Sequence, residues 1–549
     1  MTTLLSSDTL LSNATVIDGS GAPGYQADVL LRGERIQRIA PPGSLLAAVS
    51  AESGHHHIDA SGLVLSPGFI DMHAHSDLSL LLNPDHEAKL SQGVTTELLG
   101  QDGLSYAPVD EPTLAAIRQK IAGWNTNPVD ADFTFDWRSV GEYLDRLDRS
   151  AIATNAAYLV PQGTVRALVV GFDDSAASPE QLCRMREVVR ESMEQGAVGL
   201  SSGLTYTPGM YADDAELAAL CSVVAELGGF YAPHHRSYGK GALAAYAEMI
   251  ALAQQTGCPL HLTHATMNFA ENKGRAAELL ALIDQALGAG LDVSLDSYPY
   301  LPGATTLSAL LPSWATAGSP EDTLARLTDP PTRAAIREAV EIYGSDGCHG
   351  VVAEWQTVEI SGVQRPELAG YVGQTVEQIA QQEEREAFEV FVDLLIRDGL
   401  ATGILQHVGH EENVRQIIKH RTHTGGSDGI LVGSKPHPRA WGTFPRFLGH
   451  YSRELGLLSL EEMVHHLTGR PAARLRLAGR GLVREGYAAD LVLFDPEQIA
   501  DRATFDQPCQ PSVGIQAVFV NGELAVDAGR LTGVRAGRTL RRHSDGSTQ

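Results

Sequence analysis

The chain has 549 residues, 43% hydrophobic and 20% charged, enough for one large core and a smaller one, because single cores stop growing at about 250 to 300 residues. Its formal charge of −26, from 41 basic and 67 acidic residues without a basic stripe, argues against nucleic acid or an anionic membrane as partner, since both demand clustered Lys and Arg. Five cysteines (Cys183, Cys221, Cys258, Cys348, Cys509) without CxxC spacing argue against a disulfide framework or a Cys-type zinc finger, and a start without a cationic, apolar leader predicts a cytoplasmic protein.

Residues 8 to 65 read as short strands separated by turns: LLSNATVID, DVLLRGERIQRIA and IDASGLVLS. The style returns near the C-terminus in GLVREGYAADLVLFD and IQAVFVNGELAVDAGRL, which predicts one small β-sandwich domain built from residues 1–65 and 478–549. Between them, LVLSPGFIDMHAH, GVTTELLG, ATNAAYLV, AVGLSSGL, FYAPHHR, CPLHLTHAT, LDVSLDSYPY and HTGGSDG alternate with helical segments such as EQLCRMREVVRESMEQG. Alternation of this kind means parallel strands joined by helices, and eight of them fit an α/β fold of the (β/α)8 TIM-type barrel over residues 66–477. Residues 312–400 contain more helix than one crossover needs, and are read as a helical insertion between strands seven and eight.

Barrel chemistry sits at the C-terminal ends of strands. His73 and His75, two positions apart, share one face of an extended segment and can reach one point. Spacing alone is weak evidence, since 20 His in 549 residues give roughly 0.7 such pairs by chance, and a second pair, His55 and His57, lies in a loop-like stretch. The other strand ends decide the matter: His234 and His235 close FYAPHHR, His264 closes PLHLTH, and Asp428 closes the last strand in GGSDG. Imidazoles and a carboxylate at four of eight strand ends predict a metal site suited to zinc, which lowers the pKa of a bound water to about 7. Asp428 is then placed to take that water's proton and pass it to a leaving nitrogen; its bland alternative is a helix N-cap.

These motifs in this order resemble the N-acyl-D-amino-acid deacylase (D-aminoacylase) family of the amidohydrolase superfamily. PGFIDMHAHSD, GVTTELLG, GLSSGLTYTPG, YAPHHR, HLTHA, DSYPY, GGSDG, HPRAWGTFPRFLG, LTGRPAARLRL and AADLVLFD carry the likeness over nearly the whole chain. The resemblance implies His73, His75, His234 and His264 as metal ligands, Asp428 as the catalytic carboxylate, and Arg439 as the cation for a substrate α-carboxylate. Tyr206 and Tyr298 are its hydrogen-bonding neighbours. His235 matches no motif role.

One position departs from the family pattern. Where members typically read GNCG after strand two, with a zinc-ligating cysteine, this chain reads GQDG and offers Asp102. Carboxylate oxygen is a harder ligand than thiolate, which keeps Zn2+, as one ion or two, and admits Mn2+ or Co2+. The expected activity is hydrolysis of N-acyl-D-amino acids, a small-molecule substrate, with an apolar side chain preferred. The latter follows because His264 is followed by Ala265, Thr266, Met267 and Asn268, without a cation, and because Leu307, Leu310 and Leu311 lie downstream of Tyr298. Two other readings stay open: an amidohydrolase acting on a cyclic amide or modified dipeptide, against which AVGLSSGL offers no lysine, and a non-catalytic scaffold barrel, against which all ligands are retained. Oligomeric state is not legible.

Overall fold

The computed structural model describes residues 8–45, 56–125 and 133–549; His55 lies outside them. Eight parallel strands form the barrel: Phe69–Asp71, Val94–Leu99, Asn155–Pro161, Gly199–Gly203, Phe230–His234, Leu260–Leu262, Val293–Ser297 and His423–Gly425. Each pairs with the next, and the ring closes where the Met72 amide donates to the Gly425 carbonyl at 3.1 Å and Ala74 bridges Gly429. The eight predicted strands are these eight.

The helices around the barrel follow from local chemistry. Pro179–Glu194 begins with a reciprocal cap between Ser178 and Gln181 and a proline where no N–H is needed, and it turns Met185, Val188, Val189 and Met193 inward at helical spacing.

LVLSPGFIDMHAH, expected as one strand, is two. Val64–Pro67 pairs antiparallel with Leu491–Phe494, while Phe69–Asp71 joins the barrel. The chain changes sheets at Gly68, where a Cβ would stand 2.2 Å from the Thr95 side chain. Both ends of the chain thereby share one nine-stranded sheet. His57 sits there on His56–Asp59, its ring 2.8 Å from the Ser12 hydroxyl and far from any cluster.

Between the seventh and eighth strands, helices Pro320–Thr328, Pro330–Glu338, Val376–Gln382 and Ala387–Arg397 surround their own core, which includes Leu327, Ile336, Phe388 and Phe391. The insertion also contains a three-stranded antiparallel sheet that the helical expectation missed: Gly303–Thr306, Gly403–Gln406 in the middle, and Val358–Gly362. Strands of four or five residues with glycine at their ends carry too few periods to stand out in the sequence. Among the described residues no helix is long and apolar enough to cross a membrane.

Candidate metal centre

The predicted residues converge at the mouth of the barrel. His73, His75, Asp102 and Asp428 form one group, and Asp102, His234 and His264 another; within each, one ligand atom per residue lies within 4.8 Å of the rest. Asp102 belongs to both. Its carboxylate stands 3.5 Å from His73 Nε2, 3.6 Å from His75 Nε2, 3.6 Å from His234 Nδ1 and 3.3 Å from His264 Nε2. All six side chains are buried, and neither ring nitrogen of His73 has a hydrogen-bond partner. Buried imidazole nitrogens left without partners are costly unless something else fills their lone pairs. The donor set therefore fits a divalent cation.

Three of the six hold left-handed backbone: Asp102 at φ 54°, His264 at 32° and Asp428 at 47°. Such conformations cost of order 1 to 3 kcal/mol each and persist only where the surroundings impose them. The Asp428 amide donates to the His73 carbonyl at 2.8 Å, and the His264 amide to Asp296 Oδ1 at 2.9 Å. Below Asp428, the Ser427 amide and hydroxyl both donate to Asp71, and the fully buried Lys89 ammonium bridges Asp71 (2.5 Å) and Ser427 (2.8 Å). The loop of Asp102 lies so close to the fourth strand that a Cβ on Gly203 would stand 2.1 Å from the Asp102 carbonyl, which explains glycine at the end of SSG.

Burial alone would raise the Asp102 carboxyl, yet His73, His264 and His234 hold it well below the usual carboxylate range. Asp428 is likewise held down, against burial, by Arg439 and His73. Both are carboxylates at neutral pH. Against burial, Asp102 lifts His264 to about 9. Burial pushes Asp296 up to about 7.

Arg439 opens helix Arg439–Arg446, fully buried, with its guanidinium 4.4 Å above the Tyr298 ring and 2.9 Å from Asp428 Oδ2. None of its side-chain nitrogens finds a well-aligned acceptor. Tyr298 and Tyr206 line an open cleft of about 510 Å³ beside the cluster, and the Tyr206 hydroxyl meets Thr305 Oγ1 at 3.0 Å. His235 points away, packed between Tyr238 and Tyr246.

Sequence reasoning missed four supports. Thr205 meets His234 Nε2 at 2.7 Å, Tyr238 meets His264 Nδ1 at 3.1 Å, and Trp124 stacks on His75. Asp296 lies 3.0 Å from His261 Nε2 and 3.9 Å from His73 Nδ1. It is the last residue but one of the seventh strand, so the strand-end logic that found Asp428 would have found it too. The apolar wall was misplaced: Met267 is buried in the barrel core and Leu307 in the insertion core, while Leu310 and Leu311 face other cavities. The cleft is instead lined by Thr266, Asn268, Phe269, His349, Gln406 and Val408.

With this geometry in view, a model of the amidohydrolase family matches residues 56–526. The D-aminoacylase of Alcaligenes xylosoxydans xylosoxydans is 35% identical over 97% of this chain and 98% of its own. The chain belongs to the amidohydrolase family, in its D-aminoacylase branch. The N-acyl-D-glutamate deacylase of the same organism is 34% identical, covering 97% of this chain and 96% of its own. A crystal structure of the N-acyl-D-glutamate deacylase from Bordetella bronchiseptica, complexed with zinc and a phosphonate inhibitor that mimics the reaction's tetrahedral intermediate, superposes with a TM-score of 0.81 at 31% identity, covering 98% of this chain and 100% of that one. These three relatives are covered over 96% to 100% of their own length.

Proposed function

We propose that this chain is a metal-dependent hydrolase that cleaves the amide bond of N-acyl-D-amino acids, releasing a carboxylic acid and a D-amino acid. The observation that carries it is Arg439: a fully buried guanidinium without aligned acceptors, ion-paired to the cluster carboxylate Asp428. A planar fork left open in this way suits the α-carboxylate of a substrate, held bidentately.

His73, His75, Asp102, His234 and His264 hold the metal, and the place of Asp102 in both groups allows one ion or two. When bound, the cation polarises the amide carbonyl and lowers the pKa of water. Asp428, ionised at neutral pH, accepts the proton of the attacking water and returns it to the leaving nitrogen. Burial pushes the Tyr298 phenol up to about 12 and the Tyr206 phenol higher still, so both remain protonated and serve as donors toward substrate oxygens. Zinc is the expected ion; the carboxylate in place of a thiolate also admits Mn2+ or Co2+. Five free thiols suit a reducing cytoplasm.

The D-aminoacylase and the N-acyl-D-glutamate deacylase are about equally similar to this chain, so the side chain must be read from the cleft. No Lys or Arg lines it, and burial and His234 push its His349 to about 3, leaving that ring neutral. Phe269 and Val408 face the space. We therefore retain an apolar side chain, as in D-Leu, D-Met, D-Phe or D-Val, over D-Glu or D-Asp, whose second carboxylate would be buried without a partner. A cyclic amide would leave Arg439 without its carboxylate. Amine release from a panel of N-acetyl-D- and L-amino acids tests the assignment, and absence of turnover on every D-compound would refute it.

A further inference from the structure

A second cavity opens on the far side of Tyr206, which stands in both walls. Its walls include Leu104, Trp124, Met210, Leu311 and Leu400, and Lys120 is the charged residue among the described ones; none of the described lining residues is acidic. Trp124 meets Tyr206 edge-on at 4.4 Å and stacks on His75, so the cavity begins where the cluster ends.

Its position in the ring says what would enter it. Leu104, Lys120 and Trp124 follow the second strand, and Thr205, Thr207 and Met210 follow the fourth. Asp428 and Arg439 follow the eighth strand and Tyr298 the seventh. In a closed ring of eight, those two sets face each other across the mouth. A substrate anchored by its α-carboxylate at Arg439 and by its amide at the cluster therefore directs its acyl chain toward this cavity. The amino-acid side chain branches next to the carboxylate and stays with Thr266, Asn268 and Phe269, which follow the neighbouring sixth strand. The short strand Gly303–Thr306 traces the same line. A Cβ on Gly303 would lie 3.9 Å from the Tyr298 hydroxyl, Thr305 bonds Tyr206, and Thr306 lines the second cavity, a run of about 10 Å.

The chemistry of the far end is that of Lys120. Its Nζ donates to Thr207 Oγ1 at 3.1 Å, lies 5.1 Å from the Phe172 ring centroid, and makes no ion pair among the described residues. Burial pushes the ammonium down to about 8. As the last residue of helix Glu111–Lys120 it gains from the helix dipole, but that partial charge is a weak counterpart for a desolvated cation. Thr207 is two residues from Thr205, which holds His234, so the ammonium is within roughly 18 Å of the cluster.

Building on the deacylase reading, we propose that this cavity is the acyl subsite and that Lys120 receives a carboxylate at the distal end of the acyl chain, so that the preferred substrates are D-amino acids acylated by a dicarboxylic acid. An acetyl group would end at the cluster side of Tyr206, whereas a longer acyl chain carries its distal end along the cavity toward the ammonium.

The test compares kcat/KM for N-acetyl-, N-hexanoyl-, N-adipoyl-, N-octanoyl- and N-suberoyl-D-methionine in the metal-loaded wild type, K120M and K120R. The expected result is a preference of at least tenfold for the better diacid chain over the fatty chain of equal length. K120M should abolish that preference, K120R should restore part of it, and the acetyl substrate should be untouched. Diacid chains no better than fatty ones in the wild type, or equal losses on all chains in K120M, would overturn the proposal, and the wild-type comparison decides even if K120M does not fold. Failure of every substrate, acetyl included, would instead sink the deacylase reading. The cavity is then judged by calorimetry, where equal affinity of the wild type for N-adipoyl- and N-hexanoyl-D-methionine counts against it and tighter adipoyl binding that K120M abolishes supports it.

Discussion

The Arg439 guanidinium stands 2.9 Å from the Asp428 carboxylate, in a site where both are buried. The pairing makes Asp428 a weak base, because the cation favours its ionised form. An incoming α-carboxylate competes for the same cation and returns basicity to Asp428 as it binds. Substrates that lack the carboxylate should therefore lose on kcat as well as KM. N-acetyl-D-methioninamide is expected to fall at least tenfold in each relative to N-acetyl-D-methionine, and Arg439→Lys should raise KM at least tenfold for the acid while narrowing the gap. Equal kinetics for acid and amide would remove Arg439 from the site.

Asp428→Asn keeps the shape and removes the base. Its kcat should drop by about 10³ to 10⁴, within the range general acid–base catalysis supplies, with metal content retained. It also leaves the Arg439 charge buried and unpaired, so the variant should be less stable by about 3 kcal/mol. Turnover near wild type in a metal-replete Asn variant would reduce Asp428 to a structural role.

Asp102 faces all four imidazoles of the cluster. Asp102→Ala should lose most of the metal and most of the activity, whereas Asp102→Cys should keep part of both and prefer Zn2+ over Mn2+. The comparison is read by elemental analysis after dialysis against each ion. Full metal content in the Ala variant would show that the histidines suffice.

The protons on the cluster set a pH dependence for metal uptake. In the metal-free protein His264 is raised to about 9 from an ordinary 6.5. The stability this contributes is full below pH 6.5 and is lost as pH rises through about 9. Metal must displace that proton, so between pH 7 and 9 affinity should rise by up to about tenfold per unit, and the gain in Tm on metal addition should grow with pH. Titration of the apo-protein in weak buffer at pH 8 should release close to one proton more than at pH 10. A pH-independent gain in Tm would contradict the arrangement of His264 against Asp102.

Much of the site was legible because a barrel puts its chemistry at strand ends, and His73, His75, His234, His264 and Asp428 follow or close predicted strands. Asp102 was legible only as the odd residue in GQDG; its central place depends on a loop folded against Gly203, which no local pattern encodes. The side-chain pocket was misread for a related reason. Met267 follows His264 closely in sequence, yet the backbone turn at His264 sends it into the core and leaves Thr266 and Asn268 on the cleft. The cleft's remaining wall, His349, Gln406 and Val408, comes from the insertion more than 50 residues beyond Tyr298, where adjacency in sequence says nothing about adjacency in space.

The central claim, a metal-held site that hydrolyses the D-enantiomer because Arg439, the metal and the cleft fix three directions around the α-carbon, is tested most directly by one paired measurement. Metal content and ninhydrin-detected amine release are followed on the same purified sample with N-acetyl-D- and N-acetyl-L-methionine, before and after chelation. The expected result is about one to two divalent ions per chain, turnover of the D-compound at least a hundredfold above the L-compound, loss of that turnover on chelation and its return on adding Zn2+. Turnover that survives complete removal of the metal, or that favours the L-compound, would contradict it.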